Sequence, residues 1–305
     1  MYLGAHLGIA DGLAEAVRQA TTIGAESLQI FSKSPQMWSG PALAPAAVDE
    51  FRAAVRAQGL RATAVHHGYL ANLASPKADT LARSRAAFRD ELARAERLGV
   101  DALIFHPGAH LGSGPEAGLR TLGESLRAAI AEQPGGTVRI LLENAAGQGT
   151  TLGSSFEELR TALDLVAAPD RVGVALDTCH LFAAGFDFRS DDGYGALVDR
   201  VDSVLGPGTV RAFHLNDAKA PVGSHLDRHE NIGKGEIGTA GFAHFVNDRR
   251  WADVPGYLET PLDDDGYARY RADLETLRGL IAGHGSKRPA EPRAATKPRR
   301  ARTVK

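Results

Sequence analysis

Short apolar runs that favour β-strand alternate with longer amphipathic stretches along nearly the whole chain. The strands are predicted at Tyr2–His6, Ser27–Phe31, Arg61–His66, Asp101–His106, Val138–Glu143, Val172–Asp177, Thr209–His214 and Gly256–Thr260. The helices are predicted at Gly12–Ile23, Ala46–Gln58, Asp79–Leu98, Glu116–Glu132, Ser155–Val166, Tyr194–Leu205, Ala240–Asn247 and Gly266–Ile281.

Strict alternation of strand and helix indicates a parallel sheet covered by helices. Eight such units, repeating at about 30 residues, predict a closed (β/α)₈ barrel, a TIM barrel. A doubly wound open sheet is the alternative. Its dinucleotide-binding form has no support, because no Gly-x-Gly-x-x-Gly motif follows the first strand.

The chain divides into a predicted catalytic barrel, residues 1–283, and a C-terminal tail, residues 284–305. Residues 287–305 carry eight Lys/Arg and one Glu, a net charge of +7, and the rest of the chain carries −9. The tail has no apolar face to bury, so we expect it to be disordered. It is either a tether with non-specific affinity for nucleic acid or a solvated segment that only aids solubility.

The composition excludes several classes of protein. A single cysteine, Cys179, excludes an internal disulfide and thiolate zinc clusters, so a metal must be held by His and carboxylate side chains. No apolar run approaches the roughly 18 residues of a membrane span, and the first residues lack the pattern of a signal peptide. With 43% hydrophobic and 24% charged residues, we expect a globular cytoplasmic protein.

Imidazoles and carboxylates stand at the ends of the predicted strands. Strands three to eight end in or carry, in order, His66, His106, Glu143, Asp177, His214 and Glu259. The C-terminal ends of barrel strands meet at one mouth, where active sites are built, so these residues are predicted neighbours. Predicted loops at the same mouth add His180, Asp227 and His229.

These nine residues favour a metal centre. Carboxylates that share a cleft repel one another and raise one another's pKa values, which divalent cations relieve. Nitrogen and oxygen ligands suit zinc, with manganese or iron as alternatives. Nine ligands are too many for one tetrahedral ion and suffice for three if a carboxylate bridges. Any one of these residues could instead be a hydrogen-bonded strand end or a helix cap, but that explanation must then hold at six strands together.

Two residues beside the candidate ligands are expected to have other roles. His6 ends the first strand at the mouth and is expected to hydrogen-bond to a ligand. Cys179 lies between Asp177 and His180, so its side chain is expected to be buried and to point away from the mouth.

Six ordered motifs of this chain resemble endonuclease IV, the family of zinc-dependent nucleases that incise DNA at abasic sites. The motifs are His66–Leu73, Phe105–Gly108, Leu142–Gly149, Leu176–His180, Phe213–Lys219 and Asp227–Gly235. Together with Leu258-Glu259-Thr260 they extend the resemblance from about residue 2 to about residue 280.

The resemblance implies an apurinic/apyrimidinic endonuclease of base excision DNA repair, a hydrolase that cleaves 5′ to an abasic site and leaves a 3′-hydroxyl. It implies a monomer that acts on double-stranded DNA, with Glu143 and Glu259 as catalytic carboxylates. It also implies three zinc ions, with Mn²⁺ able to occupy part of the site. Their ligands would be His66, His106 and Glu143 for one ion, Glu143, Asp177, His214 and Glu259 for the second, and His180, Asp227 and His229 for the third.

The resemblance also assigns DNA-binding residues. Tyr69 and Leu70 match loop residues that push into the duplex, and Lys219 and Asn216 match a motif near the site. Gln36 stands where the family commonly carries an Arg. A neutral amide replaces neither the charge nor the stacking of a guanidinium, so we expect weaker contacts at the lesion unless Met37 wedges into the DNA instead.

Two other functions stay open. A metal-dependent sugar isomerase or epimerase on the same barrel also gathers His, Asp and Glu at strand ends, but typically needs one metal site, so metal content separates it from a nuclease. A non-catalytic DNA-binding module would depend on the basic tail, and removal of residues 287–305 tests it.

Overall fold

Eight parallel strands form the centre of the computed structural model, which describes residues 1–262 and 266–282. The strands are Tyr2–Leu7 (β1), Ser27–Ile30 (β2), Ala62–His66 (β3), Ala102–Phe105 (β4), Arg139–Glu143 (β5), Val172–Asp177 (β6), Val210–His214 (β7) and Pro255–Leu258 (β10). They pair in the order β1, β10, β7, β6, β5, β4, β3, β2, and β2 returns to β1. The predicted TIM barrel is therefore confirmed.

Helices between the strands surround the barrel. They are Leu13–Thr22 (α1), Pro45–Gln58 (α2), Ala78–Leu98 (α3), Pro115–Ala131 (α4), Phe156–Val166 (α5), Thr178–Ala183 (α6), Asp191–Val204 (α7), Gly238–Asn247 (α8) and Ala268–Gly279 (α9), with a 3₁₀ turn at Arg249–Trp251. Their apolar faces bury against the strands, as Phe88, Leu92 and Leu98 of α3 illustrate. All eight predicted helices are present, and α6 was not predicted.

An apolar layer inside the barrel lies directly below the candidate ligands. This interior cluster contains Ala64, Ala102, Ile104, Leu141, Ala175, Ala212 and Tyr257. Side chains two residues apart on a strand face the same way. His66, Glu143 and Asp177 therefore continue the inward rows begun by Ala64, Leu141 and Ala175. The apolar layer closes the floor of the site, and the next inward position on each of these strands is polar.

One buried carboxylate folds the long segment after β7 back over the barrel. Asp217 begins the two-residue strand Asp217–Ala218 (β8), which pairs antiparallel with His229–Glu230 (β9). Its oxygens accept hydrogen bonds from the backbone amides of Gly233, Gly235 and Ile237 at 2.8, 3.1 and 2.9 Å. These contacts hold Asp227 and His229 at the mouth.

Residue 283, where the predicted barrel domain ends, and the predicted tail, residues 284–305, lie outside the described residues. In the part that the structure describes, none of the helices has both the length and the apolar character that a bilayer crossing requires.

Candidate metal centre

A cavity of about 430 Å³ opens at the C-terminal mouth of the barrel. Six of the nine predicted ligands line it, and the other three lie beneath them; the wall residues are His6, Leu7, Gly8, Phe31, His66, Tyr69, His106, His180, Asp227, His229, Glu259 and Tyr270. All nine predicted ligands fall into sets whose ligand atoms lie within 4.8 Å of one another. The structure thus brings together side chains that are up to 193 positions apart in the chain, from His66 to Glu259.

Six of these residues form the inner group, which comes from strand ends: His66, His106, Glu143, Asp177, His214 and Glu259. Glu143 is fully buried at its centre. Its Oε2 lies 3.0 Å from His66 Nε2, and its Oε1 lies 2.9 Å from His214 Nδ1. One carboxylate therefore faces two separate parts of the inner group.

The other three residues form the rim group: His180, Asp227 and His229. The two oxygens of Asp227 lie 3.2 Å from His180 Nε2 and 3.1 Å from His229 Nε2. Asp177 connects the groups, because its Oδ2 lies 3.6 Å from His229 Nε2 and 3.9 Å from His214 Nδ1.

Backbone carbonyls fix the orientation of three imidazoles. A carbonyl accepts and cannot donate, so each Nδ1 carries the proton and each Nε2 turns towards the carboxylates. The Nδ1–O distances are 2.8 Å from His66 to His67, 2.9 Å from His180 to Asn144 and 3.1 Å from His229 to Glu259.

The acids and bases of the site shift one another's pKa values. Burial disfavours the imidazolium of His214, but the charges of Glu143 and Glu259 outweigh burial and raise its pKa to about 9. Burial is likewise outweighed at His229, where Asp177 and Asp227 raise the pKa to about 9. Burial would raise the pKa of the Asp227 carboxyl, but its contacts with the two rim imidazoles outweigh burial and lower that pKa. Protons and cations therefore compete for the same donor atoms.

The donor set fits zinc. His229 Nε2 is buried and has no hydrogen-bond partner, although it lies 3.1 Å from Asp227 Oδ1. A cation between a ring nitrogen and a carboxylate satisfies both atoms. Imidazole nitrogens with carboxylate oxygens form a common ligand set for this metal.

Two amide side chains that the strand-end pattern does not predict, those of Asn144 and Asn216, support the ligands. Asn144 Oδ1 accepts from the backbone amide of Asp177 at 2.6 Å. Asn216 Nδ2 donates to Asp177 Oδ2 at 2.7 Å, and its Oδ1 accepts from the backbone amide of Glu259 at 2.8 Å. Asn216 is fully buried and these bonds occupy its amide, so it orients the candidate ligands, and its expected contact with DNA stays a prediction. Its place two residues after His214 is the signal that could have identified its role.

His6 confirms its expected supporting role. Its Nδ1 lies 2.8 Å from Glu259 Oε1, within hydrogen-bonding distance. Gln29 Nε2 approaches the same oxygen at 2.7 Å, and Gln29 was not singled out from the sequence, where it is the one amide in an apolar run.

Asp177 and Cys179 lie where β6 passes into α6. Asp177 caps this helix, because its Oδ1 accepts from the backbone amide of His180 at 2.9 Å, while its Oδ2 faces the site. Cys179 is fully buried, as expected, but its Sγ is not separated from the ligands, since it lies within 4.8 Å of ligand atoms of Asp177 and His229. Burial raises the pKa of this thiol, and Sγ donates to the carbonyl of Arg228 at 3.6 Å.

Of the predicted DNA-binding residues, Tyr69 lines the cavity. Tyr69 and Leu70 are 65% and 40% exposed, and Gln36 and Lys219 are also exposed. The loops that carry Gln36 and Tyr69 pack closely, because a Cβ at Gly68 would lie 2.7 Å from the carbonyl oxygen of Pro35.

Buried polar contacts anchor the loop that carries Gln36. Lys33 contacts Glu91 of α3, and Arg94 Nη2 donates to the carbonyl of Ser32 at 2.7 Å. The start of the loop, at Ser32 and Lys33, is therefore held in place, while Gln36 further along it is exposed to solvent.

Comparison with known proteins gives consistent results. A family model described as xylose isomerase-like TIM barrel matches residues 17–280. A Chloroflexus aurantiacus protein named "Probable endonuclease 4" is 41% identical over 280 residues, 92% of this chain and 98% of that protein. The crystal structure of endonuclease IV from Thermus thermophilus superposes with a TM-score of 0.79 at 36% identity, covering 92% of this chain and 98% of the other. A D-tagatose 3-epimerase-like protein reaches a TM-score of 0.67 at 18% identity, covering 92% and 98%, which shows the shared fold alone.

Proposed function

This chain belongs to the endonuclease IV family, and on that premise we propose that it incises duplex DNA 5′ to an abasic site and leaves a 3′-hydroxyl, as a step of base excision repair. The family makes it a hydrolase of the nuclease class with DNA as substrate. The observation that carries the proposal is the convergence of nine imidazole and carboxylate side chains on one cavity at the barrel mouth.

We propose that this centre holds three zinc ions, with Mn²⁺ as a substitute in part of it. Among the five overlapping sets of close ligand atoms in the described residues, three together contain all nine residues and support that number: His66, His106 and Glu143; Glu143, Asp177, His214 and Glu259; His180, Asp227 and His229. Bound zinc supplies Lewis acidity and lowers the pKa of a bound water to about 7. Glu143 and Glu259 are the proposed catalytic carboxylates. Glu143 belongs to two of the sets, and Glu259 lies at the cavity wall.

The ligand carboxylates also control the attraction of DNA. Four negative charges in one cleft repel phosphate, and three divalent cations reverse the sign of that field. We therefore expect the metal-free body of the protein to bind duplex DNA poorly and the loaded protein to bind it well.

Exposed apolar side chains in the segments that follow the barrel strands are an argument that the protein contacts a DNA duplex whose bases are unstacked. The large hydrophobic residues that are exposed in residues 1–262 and 266–282 all lie in segments that follow barrel strands: Met37, Tyr69, Leu70, Leu111, Leu226 and Leu262. Apolar side chains of this kind can enter a base step and unstack it. An abasic nucleotide is the least costly to turn out of the helix, because it has no base pair to break.

A nicking assay tests the proposal. The substrates are a duplex with one abasic analogue and the same duplex with a normal base at that position. We expect incision only of the first, on the 5′ side, with a 3′ end that a polymerase can extend. Glu259→Gln should abolish incision with little loss of stability, and Glu275→Gln, an exposed change on α9, should not alter it.

Equal incision of both duplexes, or full activity of Glu259→Gln, would contradict the proposal. Sugar epimerisation by a protein with about one metal ion per chain would replace it with the other enzyme class of this fold.

A further inference from the structure

His214 is turned differently from the three imidazoles that backbone carbonyls hold. Its Nδ1 faces the carboxylates, 2.9 Å from Glu143 Oε1 and 3.4 Å from Glu259 Oε2. Its Nε2 faces away from them and lies 2.9 Å from Oε1 of Gln29. A side chain, rather than the backbone, therefore sets which nitrogen of this imidazole faces the site.

The orientation of the Gln29 amide follows from its other neighbour. Gln29 Nε2 lies 2.7 Å from Glu259 Oε1. A carboxylate oxygen accepts and cannot donate, so the NH₂ end of the amide must face Glu259 and the oxygen must face His214. An amide oxygen also only accepts, so Nε2 of His214 must carry a proton. Its Nδ1 is then the nitrogen left to bind a cation.

His6 completes the arrangement around Glu259. Its Nδ1 lies 2.8 Å from the same Oε1 and 2.9 Å from Gln29 Nε2, so the three side chains meet at one point. The other oxygen, Oε2, is the one that faces His214 Nδ1. One oxygen of Glu259 is thus held by the barrel, and the other is presented to the site.

We infer that Gln29 is a positioning residue of the metal centre, which locks His214 in its Nε2–H form and orients Glu259. The inference rests on the proposed zinc centre. Gln29 is fully buried in β2. Strands β3 to β7 and β10 each carry or lead directly into a candidate ligand, whereas β1 and β2 contribute His6 and Gln29. These two strands supply the hydrogen bonds that orient ligands from the far side of the barrel.

Zinc affinity provides the first test, measured by competition with a chromogenic chelator in the absence of DNA. Gln29→Met keeps the length of the side chain and removes its polar contacts with His214, Glu259 and His6. Loss of a residue that orients a ligand typically weakens metal binding by about 10–100-fold, and we expect that change for one zinc ion.

Ser27→Ala is the matched control. This residue is also buried in β2, but its hydroxyl bonds to the carbonyls of Tyr2 and Gly256, away from the candidate ligands. The control should lose stability without losing zinc affinity.

Nitrogen NMR of the histidine side chains in the zinc-loaded protein distinguishes a positioning role from a purely structural one. If Gln29 only stabilised the fold, its substitution would leave the protonation of His214 unchanged. In the unmodified protein, His214 should show a slowly exchanging proton on Nε2 and a metal-bound Nδ1. Gln29→Glu retains an acceptor for that proton and should keep this signature, whereas Gln29→Met should lose it.

Two results would overturn the inference: a His214 bound through Nε2 in the unmodified protein, or Gln29→Met with unchanged zinc affinity and signature. Neither requires DNA. A protein that shows the expected His214 signature yet fails to nick abasic DNA would defeat the proposed function and leave the role of Gln29 standing.

Discussion

The inner group and the rim group reach one cavity by different structural routes. The inner group comes from strand ends directly above the apolar floor, and the Glu143 side chain is only 1% exposed. The rim group comes from α6 and from the segment that Asp217 folds back, and the Asp227 side chain is 46% exposed. The geometry of the barrel therefore determines the positions of the inner-group side chains, whereas contacts within the loops determine the positions of the rim-group side chains. We expect a rim cation to be the first one lost.

Apart from Glu259→Gln, the largest expected effect comes from Glu143→Gln, which changes the carboxylate shared by both inner sets. Incision should fall by on the order of 10³-fold, because stabilisation of transition-state charge is lost. Zinc content should fall from three ions per chain to about one, which metal analysis measures. Retention of all three ions would remove Glu143 from the centre of the inner group.

Asp227→Asn tests the rim group in the same way. It removes the charge between His180 and His229, so we expect one zinc ion of three to be lost and incision to fall less than in Glu143→Gln. The inner ions should remain after dialysis against a weak chelator. If all three ions leave together, the two groups are not separable.

Asp217→Asn tests whether loop contacts set the rim. The substitution places amide protons against backbone amides that now donate to a carboxylate, so unfolding free energy should fall by about 1–3 kcal/mol. Urea unfolding measures this loss, with exposed Asp199→Asn as the control. The rim group should bind zinc more weakly, while the inner group should keep its zinc affinity. Weaker zinc binding at the inner group with an unchanged rim would contradict the idea that loop contacts position the rim group.

The number of protons released on zinc binding reports the protonation of one imidazole in each group, His214 in the inner group and His229 in the rim group. The pKa values of His214 and His229 are raised to about 9. In the metal-free protein, their stabilising contribution is therefore complete below about pH 6.5 and is lost as the pH rises through about 9. Zinc binds the deprotonated imidazoles, so protons should be released at pH 7.5, which calorimetry in buffers of different ionisation enthalpy detects.

Asp227→Asn sharpens this measurement, because Asp227 is one of the charges that raise the pKa of His229. At a zinc concentration that still fills the weakened rim site, fewer protons should be released per bound ion in this variant. An unchanged number would mean that the rim imidazole is already neutral in the metal-free protein.

The smallest effect is expected outside both groups. Lys219 is exposed, and its Nζ lies 3.8 Å from Glu230. Lys219→Gln should weaken duplex binding modestly and reduce the salt dependence of log K by about 1, with zinc content unchanged. Arg18→Gln on α1 is the control, and an equal effect there would remove Lys219 from the DNA surface.

The inner group was predictable because strand ends follow from the alternation of strand and helix. Asp177 lies two residues beyond Ala175, so a correct strand assignment places its side chain inside the barrel. Gln29 was not predictable in this way, since its role depends on His214 and Glu259, which are 185 and 230 positions away. The direction of the Cys179 side chain depends on the unpredicted helix α6, and the burial of Asn216 on contacts with distant residues.

The metal content of purified protein, measured together with zinc-edge anomalous scattering, tests the central claim most directly. The account predicts three zinc ions per chain at the three ligand sets, and two in Asp227→Asn with the inner pair in place. A fully active protein that carries one ion, or none, would contradict it.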